Sequence, residues 1–143
     1  MNKIFLFLII LFLTTTPVTK VVSHEEHHGD LVEATTPFPE INFKFKKVTR
    51  NEIKIVFKLK NFKLIPLKSE DAVEMHSMEM TNSGHLLVEI NNKEFMVDQN
   101  EFLFDRSILM DGRNEVFVML MDHKHNLYSI NGEVIYKAKL LEN

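Results

Sequence analysis

The chain has no cysteine and no tryptophan, and only four glycines and four prolines among its 143 residues. Without cysteine there can be no disulfide, no thiolate zinc site and no thiol nucleophile. A fold must then rest on its apolar core, and any soft metal ligation on Met and His. The four glycines are scattered, which excludes a Gly-rich phosphate loop. Charge of either sign is in short supply as an excess: 17 Lys and Arg face 20 Asp and Glu, for a formal net charge of −3. That balance argues against a nucleic-acid binder working through a basic face. Internal repeats, heptads and long helical periodicity are missing too.

What is present suits a folded domain. The composition is 45% hydrophobic and 26% charged, with twelve Phe, enough apolar material for a core at this length. The N-terminus reads as a secretory signal. Lys3 supplies a short positive region, and residues 4–13 (IFLFLIILFL) form an unbroken apolar run. Such a run is too short to cross ~30 Å of hydrocarbon as a helix. Val21 and Ser23 are small enough for cleavage before His24; if the segment stays, it tethers the chain to a membrane. Without residues 1–23, 15 basic side chains face 20 acidic ones. The expected location is periplasmic or secreted, with no membrane span in the mature form.

Three regions follow: a signal or anchor over 1–23, a flexible acidic and His-bearing leader over 24–39, and a β-domain over 40–143. The leader (HEEHHGDLVEATTPFP) is polar and ends in two prolines. From Glu40 onward the pattern has period two. Ile41, Phe43 and Phe45 alternate with Asn42, Lys44 and Lys46. Ile53, Ile55, Phe57 and Leu59 alternate with Lys54, Val56, Lys58 and Lys60. Strict alternation sends one face into a core and the other into water. Residues 62–67 are apolar and interrupted by Pro66, which suits an edge strand or a crossing connection. In residues 84–91 (GHLLVEIN), Leu86, Val88 and Ile90 share one face, and His85, Leu87 and Glu89 the other. Asn91-Asn92 makes a tight turn into 93–97. Residues 102–109 form a further apolar stretch, residues 111–114 a turn, and residues 115–122 (EVFVMLMD) a near-continuous apolar strand. Residues 127–130 and 134–140 pair across Asn131-Gly132, a preferred hairpin dipeptide. Seven to eight short strands at this spacing predict an all-β, immunoglobulin-like antiparallel two-sheet sandwich.

Two stretches carry the candidate chemistry. In EMHSMEM, residues 74–80, an extended chain puts His76, Met78 and Met80 on one side. In MLMDHKH, residues 119–125, the same parity aligns Met119, Met121, His123 and His125. Imidazole with thioether suits copper, the thioether favouring Cu(I). Met119 and Met121 lie in an apolar strand and are expected to serve as core. Met75, Met78 and Met80 have polar neighbours, so ligation, loop packing or a sticky partner surface all fit them. The leader histidines His24, His27 and His28 fit a metal-capturing tail and a solvated spacer equally well. Catalytic arrangements are absent. Ser77 and His76 are adjacent, so in a strand they point to opposite faces, and no nucleophile–base pair follows.

The order Gly84-His85-Leu86-Leu87-Val88-Glu89-Ile90-Asn91-Asn92-Lys93, then Asn114 to Val118, Asp122-His123 and residues 130–135 (INGEVI), resembles a group of small uncharacterised exported domains. Their pattern is GHAHLYxNGxK, then a strand ending in NDH, then VxGxxI. The resemblance covers residues 74–140 and implies a β-sandwich with histidines clustered near one end. His85 matches the first histidine of the HxH, and His123 the histidine after the aspartate. Leu87 stands at the second histidine, which leaves His125, or His76 with its methionines, to supply the missing donor. In composition and fold class the chain is also similar to periplasmic copper-resistance sandwiches.

The expectation is therefore an exported, non-enzymatic module that binds copper and hands it to a protein partner. Its candidate ligands are His76, Met78, Met80, His85, His123 and His125. The competing expectation is a structural or protein-interaction sandwich with no metal.

Overall fold

A computed structural model describes residues 29–67 and 82–143. Among these residues the chain is all-β, built as two sheets. The smaller sheet is antiparallel, in the order β2 (Glu40–Lys47), β3 (Glu52–Lys60), β7 (Glu101–Asp105). The larger runs β1 (Leu31–Glu33), β9 (Leu127–Ile130), β8 (Arg113–Met121), β5 (Ser83–Ile90), β4 (Lys63–Leu64). To it are added β6 (Lys93–Val97) on β5, β10 (Glu133–Val134) on β9 and β11 (Tyr136–Glu142) on β8. A 3-10 turn, Arg106–Ile108, follows β7 and is capped by the Asp105 carboxylate, which accepts from Ser107 N at 2.7 Å.

The period-two pattern decides which face is buried. Phe43 pairs with Phe57, and Ile55 with both Phe45 and Phe102, all turned toward the larger sheet. Facing them, Leu86 pairs with Leu120, Val88 with Val118 and Ile90 with Val116. These six side chains are fully buried. Each such burial is worth ~1.5–3 kcal/mol, so this layer is where the fold gains most of its stability. Lys44, Lys54 and Lys58 point the other way, and Lys54 meets Glu101 at 2.7 Å.

Turn chemistry fixes the registers. Asn91 and Asn92 have φ of 49° and 66°, and Asn131 and Gly132 have 54° and 80°. Paired positive φ values are those of a type I′ turn, which matches strand twist. Asn114, at 0% exposure, accepts from Met110 N and Asn91 Nδ2 and donates to the Met110, Gly112 and Leu141 carbonyls. It ties the 110–112 turn to β11 with no buried polar atom of its own left over.

Three features differ from the sequence reading. The short stretch Leu31–Glu33, assigned to the flexible leader, pairs in parallel with β9 (Leu31 to Leu127, Glu33 to Ser129). Ala34 enters the core, and the Asn82 side chain clasps Thr35 and Pro37. The ordered domain thus begins ahead of Glu40. The Asn131-Gly132 hairpin forms as expected, but the returning chain leaves β9 after Val134 and pairs with β8 from Tyr136 on. The number of strands among the described residues is eleven rather than seven or eight, because several are only two or three residues long.

Candidate functional site

The histidines come together where the start of β5 meets the end of β8. Tyr128 anchors the approach: its hydroxyl donates to Ser83 O at 3.0 Å and accepts from Ser83 N at 3.2 Å. Gly84 then runs so close to β8 that a Cβ there would lie 1.9 Å from the Met121 carbonyl oxygen. Its φ of +154° is also one that side-chain-bearing residues rarely adopt. Glycine is needed here, and its consequence is positional. The next residue, His85, stands directly across the ladder from Met121.

After Met121 the chain turns sharply. The Asp122 carboxylate, nearly buried at 7% exposure, accepts from Lys124 N (2.8 Å), Asn126 N (2.8 Å) and Asn126 Nδ2 (3.0 Å). Backbone bonds from His125 N to Asp122 O and from Asp122 N to Asn126 O close the loop. This winding holds His125 at φ 65°, a left-handed conformation uncommon outside Gly, Asn and Asp. The exposed His125 ring then lies 5.7 Å from that of His85, centroid to centroid, at 64°.

His85 itself is 5% exposed, and its Nδ1 has no hydrogen-bond partner. Burial pushes the imidazole pKa below its ordinary value, and positive charge at His125 and His123 acts in the same direction. A hydrogen bond to the Ile65 backbone and the charge of Asp98 oppose it. The Ile65 bond favours the charged ring, so the ring donates to the Ile65 carbonyl. The ring thus holds a buried, unpartnered Nδ1, and an imidazole nitrogen of this kind is a common metal ligand.

The sulfurs near this point lie inside. Met119 (5%) and Met121 (2%) pack with Leu87 and Leu127 in a second apolar cluster on the opposite face of the large sheet from the main core. Their assignment as core agrees with the sequence. The shared face drawn for Met119, Met121, His123 and His125 does not survive. β8 ends at Met121, and the Asp122 turn replaces the extended chain that parity assumed. His123 is half-buried and close enough for its charge to act on His85. His76, Met78 and Met80 lie outside the described residues, as do His24, His27 and His28. Of the six candidate ligands, His85 and His125 are in ring contact. Among the described residues no group of three or more His, Cys, Asp or Glu is arranged to hold a metal.

Sequence parity placed His85 on the noncore face but gave no sign of the Gly84 contact or the Asp122 turn that bring His125 to it. The GH pair and the Asp-x-x-x-Asn spacing were the available signals. No protein-family model matches this chain, nor does any curated protein or solved structure.

Proposed function

We propose that the chain is an exported, non-catalytic module that binds copper through His85 and His125 and releases it to a protein partner. The observation that carries the reading is the buried, unpartnered Nδ1 of His85 beside the exposed His125 ring. A buried polar atom without a partner is costly in a folded protein, and a metal ion bound to it would remove that cost. His125 at the surface gives the ion a way in and out, which suits capture and transfer rather than turnover. Export, to the periplasm or outside the cell, rests on the N-terminal residues 1–23, and an uncleaved segment would leave the domain tethered. Among the described residues no helix is long and apolar enough to cross a membrane. The same reading takes the two sheets as an immunoglobulin-like sandwich.

The test is titration of residues 24–143 with Cu(I) and Cu(II). One equivalent of copper should bind, and the double replacement of His85 and His125 by Gln should abolish it. Stoichiometric binding untouched by that replacement rules out this site. A protein-interaction domain without metal is the second reading. It is favoured by the exposed Met110 and Leu140, which with Phe117 border a recess of about 420 Å³. Failure of the unaltered chain to bind copper of either valence would leave that reading standing.

A further inference from the structure

We infer that Met121 is the third donor of this site and that the site therefore takes Cu(I) in preference to Cu(II). The inference rests on the copper reading above and specifies its ligand set and valence. Residues directly opposed in an antiparallel ladder have Cβ atoms ~4.5–5.5 Å apart and project from the same face. His85 and Met121 are such a pair. The unpartnered Nδ1 of His85 and the Sδ of Met121 are each two bonds beyond their Cβ. Both can therefore reach one ion at the same height above the sheet, with bonds of ~2.0–2.3 Å, the lengths known for imidazole and sulfur on zinc. His125 closes the third side from the surface.

Several independent features hold this arrangement. The Gly84 contact sets the strand separation, since any side chain there would strike the Met121 carbonyl. The Nδ1 of His85 is buried and has no hydrogen-bond partner of its own. Burial of Met121 among Leu87, Met119 and Leu127 surrounds its side chain with apolar groups. One thioether and two imidazoles are donors that bring no negative charge to the ion. Such a set suits a soft monovalent ion and lacks the oxygen donors that hard divalent ions need.

Anaerobic competition with a chromogenic Cu(I) chelator, with X-ray absorption on the bound copper, tests the assignment. Met121→Leu keeps the volume and apolarity of the side chain. The expected result is a fall in Cu(I) affinity of about tenfold or more, the scale on which even outer-shell partners act. The sulfur scatterer should disappear while weak Cu(II) binding stays unchanged. If the variant binds Cu(I) as tightly as before, or keeps its sulfur shell, Met121 is not a donor, although the histidine site stands. If the unaltered chain binds Cu(II) but not Cu(I), the valence assignment is wrong and the copper reading survives. No binding of either ion overturns both. A second readout avoids dependence on the variant's folding: in the unaltered chain carrying 13C-labelled Met methyls, one equivalent of Cu(I) should shift the Met121 methyl. An unmoved Met121 methyl contradicts the inference.

Discussion

The two faces of the β5–β8 pair differ sharply in kind. Toward the smaller sheet stand Leu86, Val88, Ile90, Val116, Val118 and Leu120, all aliphatic and all fully buried. On the other face stand His85, Leu87 and Glu89 with Phe117, Met119 and Met121. This second face is also largely withdrawn from water, yet it contains an imidazole, a carboxylate and two thioethers. Burial alone therefore does not make a stability layer. The uniform face has no polar group to satisfy; the mixed face has an orphaned nitrogen and flexible, polarizable sulfurs. One face holds the sandwich together, and the other is where chemistry can be placed.

That contrast can be broken most directly by a truncation on one face and a volume-conserving swap on the other. Leu120→Ala should cost ~2–5 kcal/mol in urea unfolding, because it leaves a cavity in the close-packed layer. Met121→Leu, one position along and on the other face, should cost less than ~1.5 kcal/mol. Equal costs would mean that the two faces do the same work. Next in size is Asp122→Ala, which removes the acceptor of three hydrogen bonds in a nearly buried turn. A loss of ~1–3 kcal/mol is expected, together with loss of the His85–His125 ring contact, visible as a change in His125 ring resonances. If the His125 signals stay put, another element sets its position.

Acidification probes the mixed face through His85. Its folded pKa lies below the ordinary value of 6.5, so between the two values the unfolded chain binds more protons. Stability should be full above pH ~6.5 and decline as pH falls below it. Comparing denaturation midpoints at pH 7.5 and pH 5 for the unaltered chain and His85→Gln isolates this term. The slope should be shallower in the variant, and an unchanged slope would assign the effect elsewhere. The smallest effect belongs to the water-facing side of the smaller sheet. There the half-exposed Lys54–Glu101 pair should contribute under ~1 kcal/mol, with Glu101→Gln nearly silent in the same assay.

Much of the fold was legible because period two is a strong signal where one face is wet. β2 and β3 carry it through eight and nine residues, and they appear nearly where it predicts. β5 was legible by parity, but not its burial on both faces, which comes from lying centrally between β8 and β6. β1 was invisible for a physical reason. Three residues are too few to show alternation, and its partner β9 lies almost a hundred positions away in a parallel pairing. The site was half legible. Residue type marked His85 and His125, and parity put His85 on the correct face. Their convergence depends on a backbone contact at Gly84 and a carboxylate-wound turn at Asp122, neither of which a periodic pattern can encode.

The central claim is that the free Nδ1 of His85 and the ring of His125 grip one ion between them. Nitrogen-15 spectra of ring-labelled histidines during stepwise addition of Cu(I) address it directly. Both rings should respond together, with the His85 shift falling on Nδ1 and the change complete at one equivalent. A response confined to other histidines, or one that never saturates, would contradict the account.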